Sequence, residues 1–265
     1  MTMKHNSAYI RMKFAGSRVS KVAFGCVSNQ GARNYQEDSF GFSSVEPAEI
    51  RRQGFTAVVA DGMGGLSGGA QISGYAVSAM LELQKNRDPR VPVNIHLAQA
   101  VRMINGSVLA SGISGGTTAA IVMCLPVGIY WCTAGDSRIY LSRGGALTAL
   151  NEDTDYMNRL IERVISGELT YEDAKIDEKK DALAQYIGYK GGINPDVNSK
   201  PFTPRNGDKL LICSDGVYNA LSAAELSSAL ADHASAAAGQ IEKGVLSKGY
   251  PNQDNFTAIV LEFMK

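Results

Sequence analysis

An apolar run from Ala119 to Cys132 is the feature that most limits how this chain can fold. It is the longest apolar stretch in the sequence, and Pro126-Val127-Gly128 interrupts it in the middle. Because proline and glycine favour turns, the run predicts two buried strands joined by a tight turn. The run is also too short for a helix that crosses a membrane. It therefore predicts neighbouring antiparallel strands in the core of a chain without a membrane span.

Strand-like and helical patterns follow one another along the rest of the chain. Strands are predicted at residues 22–27, 39–42, 55–60, 117–124, 129–133, 137–141, 146–150, 209–213 and 256–263. Helices are predicted at about residues 69–85, 95–110, 156–165, 222–230 and 234–248, from apolar spacing and, at Ser222, from a capping-box pattern. The strands outnumber those of an alternating βαβ chain, so we expect a layered α+β sandwich with antiparallel sheets.

The segment 155–196 differs in character from the rest of the chain. Its helical pattern ends at Gly167, and a charged stretch follows at residues 172–181. Stretches of this kind lie on protein surfaces more often than in cores. We expect an inserted, mobile, solvent-facing subdomain within a single domain of 265 residues.

The charge balance argues against nucleic-acid binding. Lys plus Arg and Asp plus Glu both number 26, whereas nucleic-acid binders carry a basic excess. The four cysteines, at positions 26, 124, 132 and 213, lie in apolar runs and predict reduced thiols. The N-terminus lacks the apolar core of a secretory signal. We therefore expect a cytoplasmic monomer that binds neither nucleic acid nor a membrane.

Acidic residues flank several of the predicted strands. Asp61, Asp136 and Asp215 directly follow apolar runs, whereas Glu37-Asp38 and Asp254 come just before them. Taken singly, an Asp-Gly pair is more often a turn than a ligand, and Glu37-Asp38 would be a solvated pair. Carboxylates at strand ends are costly to desolvate unless a cation compensates. Five such placements favour a site for a hard divalent cation such as Mg²⁺ or Mn²⁺.

The positions of the histidines argue against a zinc site. His5, His96 and His233 lie outside every one of these acidic segments. Zinc sites in proteins draw on histidine and cysteine ligands. The distribution therefore disfavours a histidine-rich zinc site and leaves the carboxylates as the candidate ligands.

Six segments of the chain match the motifs of one protein family in order and spacing. They are Arg33-Asn-Tyr-Gln-Glu-Asp38, Asp61-Gly-Met-Gly-Gly65, Gly116-Thr-Thr-Ala119, Gly135-Asp-Ser-Arg138, Ser214-Asp-Gly216 and Asp254-Asn255-Phe-Thr257. Over about residues 20–263 the chain resembles the metal-dependent protein phosphatases of type 2C, the PPM family. The resemblance implies a protein serine/threonine phosphatase. Its fold would be a four-layer α-β-β-α sandwich of two mainly antiparallel sheets flanked by helices, with residues 155–196 as a flap.

The resemblance also implies a ligand set for two Mn²⁺ or Mg²⁺ ions. Asp61 would bridge the two ions, and the backbone carbonyl of Gly62 would be a further ligand. Glu37 would bind one ion, whereas Asp215 and Asp254 would bind the other. Two such ions about 3.5–4 Å apart generate hydroxide near neutral pH and stabilise an in-line displacement at phosphorus.

Three further roles follow from the same resemblance. Asp38 would hold a metal-bound water through a hydrogen bond. Arg33 would bind the substrate phosphate, for which a guanidinium is well suited; the alternative is a surface ion pair with Glu37 or Asp38. Bacterial relatives often bind a third ion, whose ligands here would be Asp136 and Asp215.

The chain departs from the family pattern at a few positions. Met63 replaces a histidine that is a proposed general acid in eukaryotic members, so we expect a metal-bound water or solvent to protonate the leaving group. Residues 153–155 and 185–188 also differ, at the edges of the expected flap.

Two alternative functions remain for such a chain. One is a pseudophosphatase or regulatory module that binds phosphoproteins, against which the complete acidic set argues. The other is a SpoIIE-type phosphatase of anti-sigma-factor antagonists, a group that tends to lack the arginine and the flap. The expected partners of the enzyme are phosphorylated proteins, including serine/threonine kinases and their substrates.

Overall fold

The computed structural model describes residues 8–64, 68–152, 156–177 and 183–265. The strands are β1 (Ala8–Arg11), β2 (Lys21–Asn29), β3 (Ser39–Phe42), β4 (Phe55–Ala60), β5 (Gly62–Met63), β6 (Gly116–Thr117), β7 (Ala119–Leu125), β8 (Gly128–Ala134), β9 (Arg138–Arg143), β10 (Ala146–Ala149), β11 (Asp196–Val197), β12 (Lys209–Cys213) and β13 (Phe256–Met264). The helices are α1 (Pro47–Gln53), α2 (Gly68–Lys85), α3 (Val93–Ser111), α4 (Tyr156–Ile165), α5 (Tyr171–Ile176), α6 (Asp215–Tyr218), α7 (Ala223–Ala229) and α8 (Ala234–Ser247).

Two antiparallel sheets form the centre of the molecule. The six-stranded sheet has the order β1-β2-β13-β12-β9-β10, and the five-stranded sheet has the order β11-β8-β7-β4-β3. In the six-stranded sheet, β13 pairs with β2 along its whole length, from Phe256 opposite Asn29 to Met264 opposite Lys21. The small strands β5 and β6 form a separate pair beside the five-stranded sheet.

Tight turns connect consecutive strands where the sequence predicts them. Leu125 pairs with Gly128 across the turn between β7 and β8, which the apolar run with its central Pro-Val-Gly predicted. Gly144 and Gly145 connect β9 and β10 with φ values of 58° and 84°. A two-residue hairpin turn of type I′ needs positive φ at both positions, which glycine adopts without steric cost.

Alternate residues of the central strands face different layers. On β13, Ile259 packs between the two sheets, whereas Val260 packs against the helices α7 and α8. On β7, Val122 packs between the sheets, whereas Ile121 packs against α2 and α3. Because side chains alternate across a strand, each sheet buries both of its faces. The result confirms the expected four-layer α-β-β-α sandwich.

The structure adds short elements that were not predicted. They are β1, β5, β11, α1, α5 and α6. The strand predicted at residues 117–124 is divided at Thr118, because Thr117 pairs with Gly62 in β5 whereas Ala119 begins the pairing with β8. The capping box predicted at Ser222 is present, with the Ser222 hydroxyl accepting from the Glu225 N–H.

The expected flap has a described helical part and an anchored part. In the helical part, α4 packs against α5, and both Leu160 and Ala174 are buried. In the anchored part, Ile187 exchanges two backbone hydrogen bonds with Thr117, and β11 pairs with β8. Residues 183–197 thus belong to the edge of the sandwich. Residues 153–155 and 178–182 of the expected flap lie outside the residues that the structure describes. The mobility of the segment stays a prediction.

The state of the cysteines and the character of the helices were also described by the sequence analysis. All four cysteines are free thiols, and Cys124, Cys132 and Cys213 are buried. Among the helices of the described residues, none combines the length and the apolar character that a membrane crossing needs.

Candidate metal centre

The acidic residues predicted from the sequence lie around one cavity of about 380 Å³. Asp61 and Asp215 directly follow β4 and β12, while Asp136 lies in the connection between β8 and β9. The cavity is lined by Arg33, Glu37, Asp61, Gly62, Met63, Gly64, Thr118, Asp136, Leu183, Asp215, Asp254 and Asn255. Asp38 is the one predicted site residue not in this lining, and it is 6% exposed. The fold therefore brings together residues from across the whole sequence.

The backbone of Asp61 is fixed by two threonines. Its N–H donates to the Thr118 hydroxyl at 2.9 Å, and its carbonyl accepts from the Thr118 N–H and the Thr117 hydroxyl, each at 2.9 Å. The Thr118 hydroxyl also shares a 2.6 Å hydrogen bond with the Ser137 hydroxyl. Because every backbone group of Asp61 is bonded, its carboxylate projects from a fixed point.

Gly62 lies where no side chain fits. A Cβ atom on it would stand 2.5 Å from the carbonyl oxygens of both Glu37 and Gly69. A Cβ on Gly69 would likewise stand 2.5 Å from Oε1 of Glu37. The two glycines let the segment that carries Glu37 approach Asp61 closely.

Asn255 fixes the loop that carries Glu37 and Arg33. Its side-chain oxygen accepts from the Glu37 N–H at 2.7 Å. Its side-chain nitrogen donates to the carbonyls of Gln30 and Tyr35 at 2.8 and 2.9 Å. A buried amide that makes three hydrogen bonds is strongly constrained, so Asn255 holds both ends of the loop in place.

Asp38 lies in a buried polar pocket behind the cavity. Its Oδ2 accepts from the Ser214 hydroxyl at 2.8 Å, and Ser214 in turn accepts from the Thr257 N–H. Its other oxygen, Oδ1, is buried without a hydrogen-bond partner among the residues described, as is Oε1 of Glu37. Buried carboxylate oxygens are costly to leave unpaired, so both atoms call for a cation or a proton donor.

Burial and mutual repulsion favour the protonated forms of three carboxyls. Burial, together with the charges of Asp215 and Asp254, raises the pKa of Asp38 to about 7 against the smaller lowering effect of Ser214 and Thr257. Burial and the charges of the neighbouring aspartates, Asp38 first, raise the pKa of Asp61 well above its ordinary value. Burial and then Asp254 raise the pKa of Asp215. In the absence of bound cations, the cavity therefore has more negative charge than it can stabilise.

Arg33 forms an ion pair that differs from the alternative suggested by the sequence. Its guanidinium contacts Oδ2 of Asp254 at 2.7 Å, instead of Glu37 or Asp38. The two side chains are 57% and 41% exposed. An ion pair this exposed contributes little to stability, so Arg33 is able to exchange partners at low cost.

A group of oxygen ligands with unpaired buried atoms fits a hard divalent cation. Carboxylate and carbonyl oxygens are the ligands that Mg²⁺ and Mn²⁺ prefer. In the described part of the chain, however, no three acidic, histidine or cysteine side chains are oriented to hold an ion together. One of the carboxylate oxygens of Asp254 is bonded to Arg33 in this arrangement. The donor chemistry of the cavity lining therefore fits a divalent cation, although the described side chains are not oriented to hold one.

Several positioning residues were not predicted as part of the site. They are Ser73, Thr117, Thr118, Ser214 and Asn255. Four of them lie inside the matched motifs, so their places in those motifs were the available signal. Ser73, which donates to the Glu37 carbonyl at 2.6 Å, lies on α2 and had no such signal.

One Cys-to-Arg spacing in this region is typical of cysteine-based phosphatases. Burial of the cysteine excludes that chemistry here. Cys132 precedes Arg138 by the spacing of a nucleophilic cysteine loop. The thiol lies inside β8 with 0% exposure, and burial raises its pKa. A reactive cysteine needs access and a lowered pKa, so Cys132 is a core residue.

Known phosphatases are similar to this chain in sequence and in fold. A family model described as protein phosphatase 2C matches residues 32–248. The chain is 26% identical over 240 residues to a serine/threonine phosphatase of Listeria innocua, a match that covers 87% of this chain and 91% of that protein.

The fold of this chain is similar to those of solved serine/threonine phosphatases. The serine/threonine phosphatase of S. agalactiae has a TM-score of 0.75 and 24% identity, covering 92% of this chain and 100% of that one. The catalytic domain of the serine/threonine phosphatase PstP, solved with two manganese ions, has a TM-score of 0.69 and 25% identity, covering 92% and 99%.

Proposed function

Because this chain belongs to the protein phosphatase 2C family, we propose that it hydrolyses phosphoserine and phosphothreonine in proteins at a pair of Mn²⁺ or Mg²⁺ ions. Its relatives are serine/threonine phosphatases, and so is this enzyme. The observation that carries the proposal is the charge of the cavity. Five carboxylates line it, and Arg33 is the one cationic side chain among its described lining residues.

The proposed ligands divide between the two ions. Asp61 would contact both ions, and the Gly62 carbonyl would be a further ligand. Glu37 would bind one ion, whereas Asp215 and Asp254 would bind the other. When bound, such ions lower the pKa of a coordinated water and withdraw charge from the phosphate oxygens. The unpaired Oε1 of Glu37 supports this assignment.

Arg33 is the proposed phosphate-binding residue. Its exposed guanidinium lines the cavity, and its present partner Asp254 is itself a proposed ligand. A planar guanidinium donates two parallel hydrogen bonds to phosphate oxygens. Arg33 would therefore orient the phosphoryl group over the acidic residues.

Asp38 is proposed to orient the attacking water. The Ser214 hydroxyl occupies one carboxylate oxygen and leaves Oδ1 without a hydrogen-bond partner among the described residues. A water molecule that donates a hydrogen bond to Oδ1 of Asp38 would have its oxygen lone pair held in one direction. Met63 lines the cavity but has no exchangeable proton, so the leaving alkoxide would take its proton from solvent.

The proposed substrates are phosphorylated proteins, including serine/threonine kinases and the proteins they modify. Residues 155–196 would act as a flap beside the cavity, which Leu183 of this segment helps to line. A third ion between Asp136 and Asp215 is a further part of the proposal. Action in the cytoplasm and a monomeric state stay predictions from the sequence.

Hydrolysis of a phosphothreonine peptide tests the proposed function. Protein treated with EDTA should release no phosphate, and added Mn²⁺ should restore turnover. Asp61→Asn and Asp215→Asn should each lose most of the restored activity, because each removes a proposed ligand. Asp88→Asn is the matched control, since Asp88 pairs with Arg90 on the surface. Full turnover by verified metal-free protein would refute the proposal.

A further inference from the structure

The single turn of α6 links the two residues proposed to bind a third ion. Asp215 is the first residue of this turn and Tyr218 is the last. The Tyr218 hydroxyl donates to the backbone carbonyl of Asp136 at 3.0 Å. One side chain thus connects the helical turn that carries Asp215 with the loop that carries Asp136.

The Tyr218 ring is held in place from the side of β9. The guanidinium of Arg138 lies over the ring, 3.7 Å from its centroid, and its Nη1 donates to the Tyr140 hydroxyl at 3.1 Å. A cation at this distance over an aromatic face is attracted by the ring. Stacking therefore restricts the directions in which the Tyr218 hydroxyl can point.

The other side of Asp136 is fixed by Gly135. Its φ of 99° is a conformation that glycine adopts and other residues avoid. A Cβ atom on Gly135 would also stand 2.7 Å from Cγ2 of Thr118. Asp136 therefore follows a turn that only glycine fits, and its own carbonyl is bonded by Tyr218.

We propose that Tyr218 is a positioning residue that sets the distance between Asp136 and Asp215 and thereby the affinity for a third Mn²⁺ or Mg²⁺ ion. The inference rests on the proposed function, because it presumes that these carboxylates bind metal. Tyr218 itself touches neither ion nor substrate. It acts by holding the backbone of Asp136, which carries the carboxylate.

The size of the effect follows from the loss of one hydrogen bond. Without the Tyr218 hydroxyl, the Asp136 loop would sample positions in which the two carboxylates are too far apart for one ion. Net hydrogen-bond contributions of this kind correspond to about a fivefold change in an equilibrium constant. The two ions bound mainly by Asp61, Glu37 and Asp254 should be affected much less.

Calorimetric titration of metal-free protein with Mn²⁺ tests the inference. Tyr218→Phe removes the hydroxyl but keeps the ring under Arg138, so the weakest of three Mn²⁺ sites should lose about fivefold in affinity. The two tighter sites should be unchanged. Tyr9→Phe is the matched control, because it removes an exposed tyrosine hydroxyl on the edge strand β1, and it should bind like the wild type.

The other outcomes distinguish a failure of the positioning role from a failure of the proposed function. If Tyr218→Phe binds three ions like the wild type, or loses affinity equally at every site, the positioning role is wrong. If the wild type binds two ions, the positioning role is also wrong, whereas the proposed function stands. If the wild type binds no Mn²⁺ and hydrolyses the phosphopeptide without it, the proposed function itself fails.

Discussion

Asp61 and Thr118 exchange hydrogen bonds in both directions across the floor of the cavity. The Asp61 N–H donates to the Thr118 hydroxyl, and the Thr118 N–H donates to the Asp61 carbonyl, each at 2.9 Å. The pair joins the end of β4 to the start of β7. The position of the central carboxylate is thus set by the sheet itself.

Replacing Thr118 with valine should destabilise the protein. Thr118→Val leaves the Asp61 N–H and the Ser137 hydroxyl without their shared partner in a buried site, which costs about 1–3 kcal/mol. Thr118→Ser keeps the hydroxyl and is the matched control. Urea unfolding measures both variants. A Thr118→Val protein as stable as Thr118→Ser would mean that the hydroxyl does not hold Asp61.

The stability of the metal-free protein should fall as pH rises. Folding raises the pKa of Asp38 to about 7, whereas an unfolded aspartate titrates near pH 4. Between these values the folded state keeps a proton that the unfolded chain releases, so stability declines by up to about 1.4 kcal/mol per pH unit for each such proton. The raised pKa values of Asp61 and Asp215 act in the same direction.

Urea unfolding in EDTA at a series of pH values from 4 to 8 measures this decline. Asp38→Asn should make the curve flatter, because the amide does not titrate. Saturating Mn²⁺ should remove most of the decline, since bound cations stabilise the ionised forms. A metal-free protein whose stability rises over this range would contradict the pKa directions.

Arg33→Ala should weaken substrate binding more than it slows the chemical step. Loss of a charged hydrogen-bond donor to phosphate should raise KM roughly tenfold or more, with a smaller fall in kcat. Arg33→Lys keeps the charge without the planar fork and should lie between the two. The melting temperature should hardly change, because the ion pair with Asp254 is exposed. A large loss of kcat at unchanged KM would place Arg33 in transition-state stabilisation alone.

The sequence predicted the regular core better than the short elements. Alternating apolar residues and turn pairs such as Gly144-Gly145 are local signals, so the central strands were placed within a few residues. The helix α5 falls in the charged stretch that was expected to be mobile. A local signal for it existed, because Thr170 accepts from the Asp173 N–H as an N-cap.

The site shows the same division between local and nonlocal information. Each acidic residue that lines the cavity was predicted from its place beside a strand. Which acids meet depends on the pairing of β2 with β13 and of β4 with β7, which no local pattern specifies. The partners of those acids, such as Ser73 on α2, become visible only when distant elements are packed together.

The helical part of the expected flap should select protein substrates. Because residues 183–197 are anchored to the sandwich, the informative change replaces only residues 156–177 with a short Gly/Ser linker. We expect phosphopeptide turnover to fall more than tenfold, while p-nitrophenyl phosphate turnover stays within about twofold, since a small ester needs only the cavity. Thermal unfolding is measured on the same variant. A parallel loss of both activities with a lower melting temperature would mean that α4 and α5 simply support the core.

Anomalous diffraction at the manganese edge from crystals soaked in Mn²⁺ would locate the ions directly. We predict two strong peaks in the cavity, both about 2.0–2.4 Å from carboxylate oxygens of Asp61. One peak should also contact Glu37, and the other Asp215 and Asp254. An Asp61→Asn crystal under the same conditions should lose at least one peak. Peaks that lie elsewhere, or a cavity without Mn²⁺ in an active crystal, would contradict the assignment of this cavity as the catalytic metal centre.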